Sequence, residues 1–286
     1  VLSGVFDLKM RNGNNEKHEF VGQAGFNGAE LLAEGPISKN NKMSYLISYR
    51  YNNLELFKLM NVNIGTEAVP TYQDISFKMH WQQKHGTTSL FRIGGLSFIA
   101  QLDSDIDTAN NVYGQSGEDI LFGSKTGVAG LQHTHIINPK TYIKYVFSVN
   151  GSQNKIVNDS LSSVDRHNVP VYRNNSNMGR VSSHLVLNKK YSAQHNVRAG
   201  IMHDRFFFNV SDSVYRAPIN KFIILSDFNG ESDMIRPYLQ WQFKATNELT
   251  FNSGIHYNYF LLNNSNSLEP RAGMKYQLNP LNAINA

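Results

Sequence analysis

The chain has 286 residues, 41% of them hydrophobic and 12% aromatic, with a formal net charge of +5 and no cysteine. That apolar content excludes a disordered chain and the length allows one or two domains. The absence of cysteine removes disulfide, thiol-nucleophile and zinc-thiolate chemistry together. The 27 basic residues are scattered singly instead of clustered, which argues against a nucleic-acid partner. The longest apolar runs, Phe206 to Phe208 and Phe222 to Leu225, fall far short of the ~20 residues a membrane-spanning helix needs, so any membrane is not crossed by helices.

The first residues, VLSGVFDLKM, carry no initiator Met, basic region or apolar core of a signal peptide, and are expected to start inside a larger protein or after processing. Val5, Leu8 and Met10 among Asp7, Lys9 and Arg11 predict one short strand, ended by the turn-forming NGNN at 12–15. Alternation then predicts about twelve strands, at 17–26, 29–37, 43–51, 72–82, 88–99, 127–137, 142–150, 178–188, 195–206, 232–244, 248–261 and 270–278. Many approach the ~9–11 residues of a tilted transmembrane strand and exceed the usual five or six.

Short polar turns (38–42, 83–87, 138–141, 188–194, 245–248 and 279–283) alternate with longer segments expected to be loops, at 52–71, 100–126, 151–177, 207–231 and 262–269. In an up-and-down meander, alternate connections lie at opposite ends, so one rim carries tight turns and the other the loops, the layout of an outer-membrane barrel. Parity supports this. Ile75, Phe77, Met79 and Trp81 oppose Asp74, Lys78 and His80; Leu239, Trp241 and Phe243 oppose Arg236, Gln240 and Lys244. A soluble sandwich alternates as well, with its apolar face inward, and stays open on parity alone. Tyr49, Tyr51, Tyr72, Trp81, Tyr142, Trp241, Tyr257, Tyr259 and Tyr276 sit near strand ends, where interfacial aromatics belong. In MSYLISYRY, Met43, Tyr45 and Ile47 are expected to face lipid, Ser44, Ser48 and Arg50 the lumen, with Tyr49 and Tyr51 at the outer interface.

The stretch SGVFDLKMRNGNNEKHEFVGQAGFNGAELLAEGPI, Ser3 to Ile37, resembles the plug-to-barrel junction of TonB-dependent outer-membrane receptors of the Bacteroidota, and EPRAGMKYQLNP, Glu269 to Pro280, resembles a mid-barrel strand and turn of the same family. The resemblance implies an all-β, antiparallel, up-and-down transmembrane barrel of which about 12 of roughly 22 strands are here. Residues 1–14 would close the plug and 15–286 would form the N-terminal part of the barrel. It further implies active import of a scarce nutrient such as a siderophore, glycan or peptide across a Gram-negative outer membrane. The implied partners are outer-membrane lipid, the TonB–ExbB–ExbD complex acting through the plug, and a surface lipoprotein; no cofactor and no enzymatic activity are implied. A passive porin and a soluble carbohydrate-binding or adhesive β-protein are the alternatives.

Few residues stand out as chemistry. Asp103, Asp105 and Asp107 have a calcium-loop spacing without the glycine and final Glu of an EF-hand, and read as a solvated acidic loop. His133 and His135 form an H-x-H pair, expected with His80, His184 and His256 to line a polar lumen instead of completing a metal site. Ser182 and His184 share a strand face without a nucleophile-elbow signature. Lys78, Arg92, Lys144, Arg180, Arg198, Arg236, Lys244 and Lys275 form a lumen-parity set of cations, read as wall residues that contact the plug. No catalytic, metal or substrate-binding residue is singled out.

Overall fold

A computed structural model describes residues 9–25, 28–53, 69–101, 117–161, 167–280 and 282–285. These form a single antiparallel meander of 13 strands in sequence order, each paired with its chain neighbours. The strands are β1 (Glu19–Gly25), β2 (Gly28–Pro36), β3 (Met43–Asn53), β4 (Val69–Gln83), β5 (Gly86–Gln101), β6 (Glu118–Asn138), β7 (Thr141–Leu161), β8 (Asn168–Lys190), β9 (His195–Arg216), β10 (Lys221–Lys244), β11 (Leu249–Phe260), β12 (Ser265–Gln277) and β13 (Ala283–Asn285). All twelve anticipated strands are present, joined by short turns where short turns are expected, and β13 adds one. Of the anticipated strand from Val5 to Arg11, residues 5–8 lie outside the described residues and 9–11 are not strand.

The other rim differs from expectation. Much of what reads as long loop is strand: β7 and β8 run to 21 and 23 residues, and β9 and β10 to 22 and 24. The segment 207–231 is a hairpin closed by the 3-10 turn Ala217–Ile219, with Asn220 in the left-handed region at φ 53°. Amide and hydroxyl pairs hold the β6–β8 ribbons together, such as Ser124 Oγ to Asn154 Oδ1 at 2.8 Å and Gln153 Nε2 to Asn175 Oδ1 at 3.4 Å, so in the upper part of β7 and β8 both faces carry polar residues and no alternation betrays a strand.

The register assigns faces. Residues 10–14 lie against one face of β2–β4, before His18 turns to Tyr45 on the other face. On the first face Arg11 pairs with Glu34, Lys78 Nζ donates to the Met10 carbonyl at 2.7 Å, and Gly13 approaches the Tyr45 carbonyl so closely that a Cβ would lie 1.9 Å from it. This covered face, carrying Ser44 and Leu46, is taken as the inner one. Its buried residues are largely polar: Glu34, Ser44, Ser89, Asp204 and Ser232. The opposite face exposes Trp81, Leu90, Phe98, Phe147, Leu185, Ile201, Leu239, Trp241 and Phe251. Among the described residues no second sheet covers those side chains, which departs from a sandwich, where they would be core.

Apart from Leu46, the buried apolar residues of the inner wall among the described residues, Val186 and Tyr238, meet at one point. Lys144, Val186, Gly200, Tyr238 and His256 stand in one cross-strand row. The Tyr238 ring fills the space over Gly200, where a Cβ would lie 2.6 Å from the ring, and Val186 beneath it is 1% exposed. Tyr238 is held by His184 Nε2 at 3.0 Å from its hydroxyl and by the His256 ring stacked at 5.1 Å. Gly200→Val is expected to lower unfolding free energy by roughly 1–3 kcal/mol through overpacking. Adding Tyr238→Ala should recover part of that loss, a non-additivity read from denaturant midpoints of the four proteins of the cycle.

Candidate functional site

Above this packed row, the inner face of β8–β10 carries the densest cluster of chemistry among the described residues. Asp204, whose side chain is 4% exposed, accepts a hydrogen bond from Ser182 Oγ at 2.5 Å, is bonded by Arg236, and lies 3.9 Å from Arg180 Nε. The ladder sets this up: Ser182 and Met234 flank Asp204 on the neighbouring strands, which leaves Arg236 and Arg180 one step away along their own strands to converge diagonally. A buried carboxylate between two guanidiniums holds both cations in place.

Arg180 also lies over the Phe206 ring, 5.9 Å from its centroid. Phe206 stacks with Phe208 at 6.0 Å, and Phe208 meets Phe228 at 6.2 Å in a tilted contact; Met178 pairs across from Phe208. The result is an aromatic ledge edged by a pre-positioned guanidinium, on the face of β9–β10 that looks inward. Such a surface stacks flat π systems and attracts anions. Higher on the same ribbons, hydrogen bonding to Asp212, followed by burial, raises the Tyr172 phenol above its ordinary pKa.

The structure sorts the residues singled out from sequence. Lys78, Lys144, Arg180, Arg198, Arg236, Lys244 and Lys275 share the inner parity, but Arg92 does not: it pairs with Phe77 and Ala129 on the outer, apolar face. His133 and His135 are also outward, in the row of Trp81 and Tyr145 and the row of Ile143, with Thr88 Oγ1 at 2.8 Å from His133 Nδ1; they do not line a lumen. His80, His184 and His256 are inward, and His80 Nδ1 lies 2.9 Å from Ser89 Oγ. Ser182 binds Asp204 while His184 binds Tyr238, so the two do not form a nucleophile–base pair. Asp103, Asp105 and Asp107 lie outside the described residues. Among the described residues no group of three or more His, Asp or Glu is placed to hold a metal ion. The Phe206–Phe208–Phe228 ledge and the Asp204 cluster escape sequence reasoning; the run FFF at 206–208 is the one signal of them.

The chain matches no described protein family and no curated protein by sequence. Its fold has solved counterparts. It superposes on the ferric-catecholate import receptor Fiu of E. coli K12 with a TM-score of 0.67 at 12% identity, covering 94% of this chain and 49% of that one. BauA, the ferric preacinetobactin receptor of Acinetobacter baumannii, gives 0.63 at 8% identity over 88% and 43%. The copper transporter OprC gives 0.57 at 9% over 94% and 44%. The chain thus has the barrel fold of such receptors and spans about half the length of the structures it matches.

Asp204→Asn is expected to cost about 2–3 kcal/mol of unfolding free energy, toward the low end of values for a broken buried pair because Arg180 and Arg236 are partly exposed. Chemical denaturation of the variant in detergent micelles checks this, with Arg180→Gln added to Asp204→Asn expected to bring little further loss.

Proposed function

We propose that the chain is the N-terminal half of the barrel of a TonB-dependent transporter of the Bacteroidota type, which imports a scarce nutrient across the outer membrane. In this reading residues 1–14 end the plug, 15–286 begin the barrel, the short-turn rim faces the periplasm and the tall ribbons face outward. TonB–ExbB–ExbD acts through the plug, and a surface lipoprotein is a further partner. The observation that carries the reading over a passive porin is the entry of the chain: residues 10–14 run along the inner face, fixed by Arg11 and the Asn14 amide to Glu34 and by Lys78 to Met10, before the first strand joins the wall. A polypeptide that enters its barrel from inside is what a preceding plug requires. The fold match to Fiu and BauA supports the same reading.

The ledge on β8–β10 favours a small anionic solute with a flat or aromatic part. Arg180 would meet the charge and Phe206, Phe208 and Phe228 the ring face. Two of the solved counterparts are named as receptors for ferric chelates, which supports that class.

The test uses the full-length protein in its own host. It should fractionate with the outer membrane, and growth or uptake on its nutrient should fall by more than tenfold when TonB is deleted. Uptake indifferent to TonB would assign a porin, and recovery of the protein without detergent would overturn the membrane reading. With the nutrient identified, Phe208→Ala and Arg180→Gln should each weaken binding by roughly 1–2 kcal/mol, about tenfold, read by calorimetric titration.

A further inference from the structure

A groove of about 1010 Å³ lies on the outer face, away from the lumen. Its apolar walls are Tyr49, Ile75 and Leu96 at one end and Phe207 at the other. Between them Gly94, Gly127, Gly151 and Gly179 stand in one continuous cross-strand row, from Ile75 on β4 to Phe207 on β9, so the floor is bare backbone.

Packing does not demand glycine along that whole floor. A Cβ on Gly127 would meet its nearest neighbour, the Ile93 carbonyl, at 3.6 Å, and on Gly151 the Met178 carbonyl at 3.8 Å, both ordinary contacts; neither has a positive φ. Glycine inside a strand weakens it and marks a place where another group comes close to the backbone.

Two cations bracket the floor. Arg92 stands two residues from Gly94 toward the short-turn rim, and Lys125 two residues from Gly127 toward the tall rim, both lining the groove and both exposed. Neither makes a hydrogen bond or ion pair among the described residues. At the far end Glu231 is already tied to Arg205. Gln153, Asn177 and Asn209 continue the Lys125 side with amide donors.

Height fixes the chemistry. The four glycines lie roughly eight to eleven residues from the short-turn ends of their strands, the length a tilted strand needs to cross a hydrocarbon core, ~9–11 residues. Resting on the membrane reading above, this puts the groove at the boundary between acyl chains and headgroups. An unpaired guanidinium on an otherwise apolar wall there calls for an anion that arrives with its own apolar tail.

We propose that the groove seats one phospholipid of net negative charge, with an acyl chain along the glycine floor between Ile75 and Phe207 and the phosphate held by Lys125 and Arg92. Free phosphate lacks the chain that fills the floor, and a second copy of this wall would bring the same cations against each other.

The experiment is native mass spectrometry of the full-length protein, purified in detergent and reconstituted with phosphatidylglycerol or with phosphatidylcholine as the probe lipid. One phosphatidylglycerol should survive activation that strips the rest, at an occupancy at least tenfold above phosphatidylcholine and unchanged by millimolar inorganic phosphate. Arg92→Gln with Lys125→Gln should abolish that preference, and Gly151→Leu, which fills the floor without a backbone clash, should remove the retained lipid. Heat-modifiable gel mobility confirms that each variant stays folded. Equal retention of the two lipids, displacement by phosphate, or retention unchanged in a folded Gly151→Leu protein overturns the inference. So does a dimer that Gly151→Leu dissolves. Failure of the protein to fractionate with membranes overturns the membrane reading instead, so the two failures are distinguishable.

Discussion

Unbroken antiparallel register is the constraint on which the rest depends. Because side chains alternate with period two, a slip of one residue between any two strands would turn every residue beyond it to the opposite face. The ladders from β1 to β12 run with shifts only between Ile136 and Asn138, Asn158 and Asp159, and Ile224 and Ser226. Inner polar groups can therefore be summed over strands far apart in sequence. Asp204 meets Arg236 and Ser182, 32 and 22 residues away, because register puts them on one patch of one face. The same register makes a row of four glycines from four strands that share no sequence motif.

Where a strand has one apolar and one polar face, the sequence is easy to read, and β3, β4 and the lower halves of β7 and β10 are found to within a few residues. The tight turns are as legible, since Asn, Gly, Lys and Ser cluster at each one. Legibility ends where the two faces become alike. The upper halves of β7 and β8 are rich in Asn, Ser, Gln and Asp on both faces, stabilised across strands by pairs such as Asn158 Nδ2 to Glu118 Oε2 at 3.1 Å and Arg173 to Asp159 at 2.6 Å. They look like loops to any reading based on hydrophobic period. The shift at Ile224/Ser226 adds to this by turning Phe222 and Ile224 outward and Phe228 inward along one strand.

Arg92 shows a subtler limit. In LFRIGGLSF the rule that charges face inward contradicts the parity of Leu90 and Leu96, and the two glycines supply no side chain to arbitrate. The neighbouring strands do arbitrate, since Phe77 and Ala129 pair directly with it on the outer face. His133 and His135 fail for the same reason: Gln132 and Thr134 make the opposite face equally polar. Face assignment is a property of the sheet, and one strand on its own carries only part of it.

The distribution of burial supports the membrane reading without any comparison. In a water-soluble domain the buried set is apolar and the exposed set polar; here Glu34, Ser44, Ser89, Asp204 and Ser232 are buried while Trp81, Phe98, Phe147, Leu239 and Trp241 are open. Each large apolar side chain left in water forgoes about 1.5–3 kcal/mol of burial, and a contiguous band of them is far beyond the patches that soluble monomers expose. The outer face is consistent only with an apolar surrounding. The inner face, with Arg198, Arg236, His256 and Arg271 on a concave wall, is consistent only with water or polar protein. Residues 10–14 supply such protein, and their anchors, Glu34 and Lys78, are wall residues whose charges would otherwise be left without a partner on the inner face among the described residues. This segment therefore completes the polar wall of β2 and β4.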